Sequence, residues 1–414
     1  MKKHLSILLT IVLIFSLAGC AGPGASAPAP AAPGSSAAPS AAEPAPAPSA
    51  GGQSNLESSL TLDVSGVLST DGQVLMPPLL SKEIPSRPEN PEALDEEDKL
   101  RYYDMEYAGW NAGDKINPAV SPGDGSIGKN VIIIVHGDHP WTTAYMNGAR
   151  KAAEALGMEI ELWSPNWDVN IQNQLIDQAI NARPDAIGII PINAESAVQQ
   201  FRRVNQANIP VFGTNTLATS EAMRYMVTWT GPDDWGQMRM MARALADQMG
   251  KTGGICYVTH NPGGSPYFAR MFGPRTELAE YAPDIRTLDF QSPGFDAPAT
   301  KQVVSDWITR YGDELKAIFL ADDAPQAIGA IDAIKEAGRE DIIVVAAGNS
   351  KQGMDLVSSG DLFVINYQTA EGDGAACVKA MADFFNGKEL PEIAYLAQDL
   401  IYEENVANFQ PPQW

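Results

Sequence analysis

Short apolar runs alternate with segments of helical periodicity from Asn130 onwards. The runs are NVIIIVH, MEIELW, AIGIIP, IPVFGT, YMVTWT, GGICYVT, IRTLDF, AIFLAD, IIVVAA and LFVINYQ. One intervening segment, WGQMRMMARALADQMG, places five apolar side chains on a single helical face: Met238, Met241, Ala242, Leu245 and Met249. Strands that alternate with helices form parallel sheets covered on both sides. Roughly ten strands in two series predict an α/β fold with two doubly wound parallel-sheet lobes.

Residues 1–19 have the pattern of a secretory signal peptide, with the basic segment MKKH followed by the apolar run LSILLTIVLIFSLA. This run is too short for a membrane span and carries no stop-transfer charges after it. The sequence LAGC that ends at Cys20 resembles the lipobox of bacterial lipoproteins. The resemblance implies cleavage before Cys20, a diacylglyceryl group on its sulfur, and an extracytoplasmic protein held at the cell membrane by lipid alone. The alternative is an ordinary signal that happens to contain a cysteine.

Two segments separate this signal from the regular region. Residues 20–55 are nearly all Ala, Pro, Ser and Gly, which predicts a semi-extended tether because such a composition cannot bury a core. Its polyproline-like parts could reach on the order of 100 Å. Residues 56–128 are irregular, and one short helix is expected around Glu96–Tyr107. We expect residues 56–128 to be an accessory segment that packs against the main body.

Composition narrows the possible partners and the redox chemistry. The net charge of −23 at pH 7 argues against nucleic acid or an anionic lipid surface as a partner. Besides Cys20 the chain has only Cys256 and Cys377, both in apolar surroundings. Two buried free thiols are expected, and a single disulfide is the alternative that the compartment would allow.

Catalysis is the first function to weigh at the strand ends. The stretch VIIIVHGD resembles the entry to the oxyanion hole of α/β-hydrolases, which also need a G-x-S-x-G nucleophile elbow. The nearest match, residues 263–267, reads GGSPY and lacks the closing glycine. A secreted hydrolase is therefore a remote alternative, and we expect no catalytic residues.

Metal and cofactor sites are not expected either. His136 and His139 lie three positions apart, but no His or Cys cluster completes a tetrahedral set. The stretch DVNIQNQLIDQA lacks the glycine and the final acid of a calcium loop, with Asn173 and Ala179 in those places. No Lys-Ser/Thr pair follows the glycines of NPGGSPYF to form a phosphate loop. Only a structural ion is left open.

The region from Asn130 to about Phe409 resembles the type I periplasmic binding proteins, specifically the ribose-binding-like receptors of sugar ABC transporters. The resemblance covers about two thirds of the chain and lies in the order of its motifs. These motifs are HPWTTAYMNGA, IPVFGTN, YFARMFG, GFDAPAT, ADDAPQAIGA and INYQT. It implies a small-molecule ligand, most simply a monosaccharide or polyol, held in a cleft between the lobes and delivered to an ABC permease by a monomeric receptor.

The resemblance also implies a set of ligand-binding residues: His139, Trp141, Thr142, Asn215, Arg270, Phe295, Asp323, Asn349 and Gln368. Their side chains suit a sugar. Trp141 and Phe295 offer flat apolar faces to a sugar ring. Arg270 can direct two hydrogen bonds at adjacent hydroxyl groups, a geometry that lysine lacks. Phe295 has the alternative of a plain core residue, and Arg270 that of a solvated helix arginine.

The chain departs from the sugar-binding pattern at two places. Asn215-Thr216 stands where many members carry Asp-Arg, and Gly348-Asn349 stands in place of a Gly-x-Asp-Gly turn. The loss of both acids weakens the charge-assisted contacts to hydroxyl groups. A polyol, a modified sugar or another small polar metabolite would use the same cleft.

The family pattern divides the body into two discontinuous lobes. We expect residues 130–231 with 369–397 in lobe one, and 232–368 with 398–414 in lobe two, joined by a three-segment hinge. Closure of the lobes on the ligand would create the form that a permease recognises, with no chemistry performed on the ligand. A sensor that presents the ligand to a chemoreceptor or histidine kinase is the alternative. A lac-repressor-type regulator would begin with a helix-turn-helix where this chain has the signal pattern.

Overall fold

The computed structural model describes residues 50–82, residue 90 and residues 112–414. The expected signal peptide, the lipidated Cys20, most of the tether and the helix expected around Glu96–Tyr107 lie outside the described residues. None of the helices in the described part combines the length and the apolar composition that a membrane span requires.

Lobe one is built on a six-stranded sheet whose order is β11-β5-β4-β3-β1-β2, with every neighbouring pair parallel. Its strands are β1 (Asn130–Ile134), β2 (Glu159–Trp163), β3 (Ala186–Ile189), β4 (Val211–Thr214), β5 (Trp229–Gly231) and β11 (Ile393–Tyr395). Its helices are α2 (Pro140–Ala155), α3 (Val169–Ala182), α4 (Ala194–Gln206), α5 (Ser220–Met223) and α11 (Ala370–Phe385). Separate apolar clusters cover the two faces, which is why the central strands are apolar at every position.

Lobe two repeats this plan with the order β12-β10-β9-β8-β6-β7, in which only β12 is antiparallel to its neighbour. Its strands are β6 (Gly253–Val258), β7 (Ile285–Gln291), β8 (Leu315–Leu320), β9 (Ile343–Ala346), β10 (Val364–Asn366) and β12 (Leu400–Ile401). Its helices are α6 (Asp234–Gln248), α7 (Ser265–Tyr281), α8 (Ala297–Tyr311), α9 (Pro325–Glu336) and α10 (Lys351–Ser358), with short 3-10 turns at Gly312–Glu314 and Val406–Phe409. The apolar face predicted for α6 is buried at Met238, Met241, Ala242 and Leu245.

The chain crosses between the sheets three times. The crossings run from Gly231 to Asp234, from Asn366 to Ala370 and from Tyr395 to Leu400. The predicted fold, two doubly wound lobes with a three-segment hinge, is confirmed. At the rim opposite the hinge, the Ala194 amide donates to the Gly263 carbonyl at 3.2 Å, and the Leu217 amide donates to Ser265 Oγ at 2.9 Å. The lobes therefore touch directly, and the structure is a closed one.

Helices α2 and α11 of lobe one pack at very close range. A Cβ atom on Gly148 of α2 would lie 1.9 Å from the Glu371 carbonyl oxygen, and one on Gly374 of α11 would lie 2.0 Å from the Tyr145 carbonyl oxygen. Real Cβ atoms do not approach a backbone oxygen so closely, so glycine is required at both positions. This contact fixes the start of α11, where the second hinge crossing ends.

The residues before β1 form part of the body. Leu75 and Met76 are buried in the core of lobe one, at 0% and 8% exposure, among side chains of β1, α2 and α11. Leu80 exchanges both backbone hydrogen bonds with Tyr395 of β11, at 2.7 and 2.8 Å, and so adds an antiparallel bridge to the edge of the sheet. The part of the accessory segment around Leu75 and Leu80 is therefore integrated into the core and the sheet of lobe one.

The tether was predicted to continue to residue 55, and this boundary is wrong. Helix α1 spans Ala50–Leu60. Tertiary contacts stabilise it: Asn55 Nδ2 donates to the Asp124 carbonyl at 2.8 Å, and Ser59 Oγ accepts from the Ser126 amide at 3.0 Å. Composition alone could not predict this helix because its hydrogen-bond partners lie about seventy residues away in the chain.

Both described cysteines outside the N-terminal region are free and buried. Cys256 lies on β6 of lobe two and Cys377 on α11 of lobe one, so the two free thiols that were expected are found and the alternative disulfide is not formed. Burial raises the pKa of each thiol to about 12, which leaves neither as a thiolate at neutral pH.

Truncation of Leu75 tests whether the accessory segment contributes to the core. Because Leu75 is fully buried in lobe one, Leu75→Ala should lower the free energy of unfolding by about 2–5 kcal/mol. Leu68→Ala is the matched control, since Leu68 is 50% exposed and its truncation should cost less than about 0.5 kcal/mol. Urea denaturation measures both values, and equal midpoints for the two variants would show that the segment is not part of the cooperative unit.

Candidate ligand-binding cleft

The carboxyl ends of the two parallel sheets face each other across the closed rim. Loops after β1, β3 and β4 supply the lobe-one wall, and loops after β6, β8 and β9 supply the lobe-two wall. Ligands of doubly wound sheets bind at such strand ends. The structure brings seven of the nine expected residues to these loops, to the first turn of α2 or to the hinge: His139, Trp141, Thr142, Asn215, Asp323, Asn349 and Gln368. Arg270 reaches the same region from α7, and Phe295 follows β7.

Arg270 is held by three elements at the base of this cleft. Its Nη1 donates to the Ala321 carbonyl after β8 at 2.8 Å. Its Nη2 lies 3.3 Å from Gln368 Oε1 on the second hinge crossing and 3.5 Å from Asp234 Oδ1 at the start of α6. The Arg270 side chain is only 11% exposed, which rules out the solvated alternative, and its Nε has no partner among the described residues.

Asp234 is the buried carboxylate next to this guanidinium. Burial raises the pKa of Asp234, and the positive charge of Arg270 acts in the opposite direction. A single cation thus shares a buried site with an acid and an amide, so the guanidinium is fixed in direction before any ligand contributes a contact.

The hinge continues this network toward β9. Asn349 Oδ1 accepts from the Gln368 amide at 3.2 Å, and the Gln368 side chain accepts from Arg270. Asn349 and Gln368 are 1% and 6% exposed. The side-chain amide of Asn349 therefore positions the hinge backbone, a role that the aspartate of the family pattern could also perform.

Asp323 has a more structural environment than the sequence suggested. It is fully buried, and its Oδ2 accepts from both the amide and the hydroxyl of Ser350 at 2.7 and 3.0 Å, which fixes the N-terminus of α10. Its Oδ1 has no hydrogen-bond partner within residues 50–82, 90 and 112–414. Burial, followed by the negative charge of Asp322, raises the pKa of Asp323 to about 8. Ligand contact by Asp323 stays a prediction that rests on Oδ1.

The first turn of α2 carries three of the expected residues. His139 caps the helix, with its Nδ1 accepting from the Trp141 amide at 3.1 Å, which occupies one of its two ring nitrogens. Trp141 is only 7% exposed and packs among lobe-one core residues, including Tyr145 at 5.5 Å between ring centroids. The Trp141 Nε1 and the Thr142 hydroxyl are buried, and neither has a hydrogen-bond partner in the part of the chain that the structure describes. Trp141 is thus a core residue that retains one polar atom for contact.

Phe295 and Asn215 differ in how they are held. Phe295 is 42% exposed and meets His260 edge-on at 4.8 Å, so the plain-core alternative is wrong. Asn215 has a left-handed backbone with φ of 58°, and its Nδ2 donates to Asp373 Oδ2 at 2.8 Å. One donor of Asn215 is therefore committed to lobe one itself.

Asp373 is a residue that sequence reasoning missed. It lies on α11, is fully buried, and has one carboxyl oxygen without a protein partner. Burial raises its pKa well above the usual range. The signal was present in AEGDGAACVKA, an acid within an otherwise small and apolar helical segment that the structure buries. His136 was considered in the hydrolase-like stretch and as a metal ligand but not as a ligand-binding residue, and the described residues contain no group of three metal-ligating side chains.

Residues 128–389 match the sequence profile of the periplasmic binding protein domain family. The chain belongs to this family. It is similar to a xylitol-binding protein of Mycolicibacterium smegmatis, with 25% identity over 67% of this chain and 78% of the relative. It is also similar to the ribose import binding protein of Escherichia coli, with 25% identity over 61% of this chain and 83% of the relative.

Solved structures agree with the fold. A solute-binding protein of an ABC transporter from Bacillus halodurans, solved with bound myo-inositol, superposes with a TM-score of 0.63 at 22% identity, covering 70% of this chain and 99% of that one. One from Actinobacillus succinogenes with bound D-allose gives 0.62 at 20% identity, covering 68% and 100%. The family predicted from the motifs is therefore confirmed, and the residues outside 128–389 lie beyond the matched domain.

The raised pKa of Asp323 predicts that the free energy of unfolding depends on pH. The unfolded chain releases this proton near pH 3.8, whereas the folded protein keeps it up to about pH 8. The free energy of unfolding should therefore fall as pH rises through that window. Asp323→Asn should remove this part of the pH dependence, measured as urea midpoints at about pH 5 and about pH 7.5.

Asp284→Asn provides the control for this measurement, because Asp284 is exposed. The control variant should keep the pH dependence of the parent. A parent-like profile for Asp323→Asn would mean that Asp323 is ionised in the folded protein at neutral pH.

Proposed function

We propose that the chain is the extracytoplasmic solute-binding receptor of a sugar-type ABC transporter. It captures one small, uncharged, hydroxyl-rich molecule, a monosaccharide or polyol, between its lobes and delivers it to a permease. The observation that carries this proposal is the buried Arg270 guanidinium, which is held at the hinge by Gln368 and Asp234. A forked donor fixed in this way suits adjacent hydroxyl groups.

Both lobes have buried polar atoms that are left for a ligand, which supports capture by closure. Trp141 Nε1 and Thr142 Oγ1 come from lobe one, and Arg270 Nε and Asp323 Oδ1 from lobe two. All four are buried without partners in the described part of the chain. A ligand that satisfies them would contact both lobes only in the closed form, and this difference in contacts drives closure.

We assign no chemical step to the cleft, so the ligand leaves unchanged. The segment that resembles a hydrolase elbow has a different use: Ser265 is buried, and its hydroxyl accepts the Leu217 amide across the rim. A serine engaged in holding the lobes together is poorly placed as a nucleophile. The relatives that bind xylitol and ribose support a polyol or sugar as the ligand class.

The site of action follows from the N-terminal pattern. Cleavage before Cys20 and lipidation of its sulfur would hold the receptor at the cell membrane through lipid alone. A tether of Ala, Pro and Ser would then separate the monomeric body from the bilayer. Membrane fractionation with the mass of the mature protein tests this anchor, and a protein released into the soluble fraction would contradict it.

Calorimetry with xylitol, ribose and myo-inositol tests the ligand class, and Arg270→Ala tests the site. Loss of a buried, forked arginine commonly costs at least about 2 kcal/mol, or roughly thirtyfold in Kd. We expect that loss for Arg270→Ala and only partial recovery for Arg270→Lys, because lysine cannot fork its hydrogen bonds.

Arg286→Ala is the matched control, since Arg286 lies on the lobe-two surface at 66% side-chain exposure. It should bind like the parent. Parent-like binding by Arg270→Ala would place the ligand elsewhere. Failure of all three compounds to bind the parent would overturn the proposed ligand class.

A further inference from the structure

Two histidines occupy equivalent positions in the two lobes. His136 follows the end of β1 by two residues, and His260 follows the end of β6 by two residues. β1 lies between β3 and β2 in its sheet, as β6 lies between β8 and β7 in the other. The twin architecture therefore brings one imidazole to the end of the corresponding strand, next to the edge strand, in each facing sheet.

Aromatic rings surround both imidazoles. The His136 ring lies 4.3 Å from that of Trp167 and meets the ring of Trp141 edge-on at 5.9 Å. The His260 ring meets that of Phe295 edge-on at 4.8 Å. Two of these aromatic neighbours are expected ligand-binding residues, so the histidines share their site.

The polar atoms of the pair are incompletely used. His136 Nδ1 is buried and has no hydrogen-bond partner among the residues that the structure describes. His260 Nδ1 lies 3.2 Å from the Asn261 carbonyl, and that contact leaves Nε2 as its second polar atom. Rim contacts at Gly263 and Ser265 hold the loop after His260 against lobe one.

We propose that His136 and His260 bind the same ligand from opposite lobes, each as a neutral imidazole that exchanges a hydrogen bond with a ligand hydroxyl group. This inference rests on the proposed function. It adds one ligand-binding residue per lobe, and it makes capture sensitive to protons because the closed cleft excludes the charged imidazole.

Electrostatics support the neutral form. Burial lowers the pKa of both His136 and His260 to about 3 in this closed structure. The positive charge of Arg270 acts in the same direction on His260. An exposed histidine titrates near pH 6.5, so the open form takes up protons that the closed form rejects. Closure should therefore weaken as pH falls below about 6.5, by up to tenfold per unit for each histidine.

Acidic groups near the cleft oppose this effect. Asp234 and Asp322 face Arg270, and Asp323 adjoins Asp322; burial raises the pKa of all three. Asp138, in the loop after His136, is bonded to Ser164 at 2.6 Å. Protonation of buried acids favours the closed form, so the contribution of the histidines has to be isolated by their substitution.

The test measures Kd for xylitol, ribose and myo-inositol by calorimetry from about pH 7.5 to about pH 5. The parent should lose affinity on acidification, whereas the double variant His136→Gln/His260→Gln should lose this dependence, because glutamine does not titrate in that range. His136→Ala and His260→Ala should each weaken binding at least about tenfold at pH 7.5 by removal of a hydrogen-bonded contact.

Asp284→Asn is the control, since Asp284 is an exposed acidic residue of lobe two away from the cleft. It should keep the pH profile of the parent. If the parent binds and the double variant shows the same profile, this inference fails while the proposed function stands. If none of the three compounds binds the parent, the proposed function fails.

A separate observation concerns residues 69–82, which we name the hinge strap. The strap contacts all three hinge crossings. Lys82 forms an ion pair with Asp233 on the first crossing, Tyr367 on the second donates its hydroxyl to Asp71 Oδ2 at 2.8 Å, and Leu80 bridges Tyr395 on the third. Asp71 is 4% exposed, so its bond with Tyr367 is shielded from water.

Residues 410–414 join the strap to both lobes. Gln413 Nε2 donates to Asp71 Oδ2 at 2.9 Å, and its Oε1 accepts from the Glu371 amide of α11 at 2.9 Å. The Trp414 carbonyl accepts from the Lys351 amide of α10 at 2.8 Å. The Trp414 ring lies 5.9 Å from that of His139 at the start of α2. One short tail thus contacts lobe one, lobe two and the strap.

We infer that the hinge strap and residues 410–414 restrain hinge opening and raise the closed fraction of the ligand-free protein. Rotation of the lobes about the hinge would displace Tyr367, Asp233 and Tyr395 relative to one another, and the strap ties all three to one backbone. The apparent affinity of a receptor increases with the fraction already in its binding form. The strap therefore sets affinity without a contact to the ligand.

Small-angle scattering of the ligand-free protein tests this restraint. Tyr367→Phe combined with Lys82→Met should enlarge the radius of gyration and weaken ligand binding about fivefold, which is a typical coupling between sites. Tyr281→Phe is the control, since it removes a hydroxyl bonded to Asp247 on the lobe-two surface. An unchanged radius of gyration in the double variant would overturn the restraint.

Discussion

The buried guanidinium of Arg270 is the constraint on which the cleft depends. A cation removed from water must be paired and hydrogen-bonded, since an uncompensated buried charge costs several kcal/mol. Here the partners come from three separate parts of the chain: Asp234 on α6, Gln368 on the hinge and the Ala321 carbonyl after β8. These elements must meet at one point for the charge to be satisfied. The position of the hinge relative to lobe two is therefore fixed by electrostatics as well as by packing.

The buried acids near this cation differ in the partners of their carboxyl oxygens. Asp323 and Asp373 each give one oxygen to the protein and leave the other without a protein partner. Burial raises the pKa of both groups, so protonation relieves the cost of a second buried charge. Asp234 keeps an attractive cation beside it. A ligand that donates hydroxyl protons to the free oxygens would stabilise the ionised forms, whereas an anionic ligand would meet repulsion from them.

Local patterns predicted most of the fold, because the apolar runs and helical faces of residues 130–414 are bounded by short turns. The motif order also led to Arg270 and Gln368, which the structure joins. Trp141 was expected to present a flat face and is instead largely buried, since packing against Tyr145 depends on the path of α2. The role of Leu75 and the helix at Ala50–Leu60 depend on contacts with distant residues, and periodicity carries no information about those.

The parts of the chain that local patterns missed have one property in common. The strap and residues 410–414 lie outside the matched domain, yet the strap contacts the hinge at Asp233, Tyr367 and Tyr395, and Gln413 contacts the strap at Asp71. In the receptor that we propose, ligand selectivity resides in the strand-end loops, while the balance between open and closed forms resides at the hinge. A substitution in the strap can therefore change affinity for every ligand equally, whereas one at His136 or Arg270 acts on a particular hydroxyl pattern. Differential contact sets which ligand is chosen, and hinge restraint sets how tightly any ligand is held.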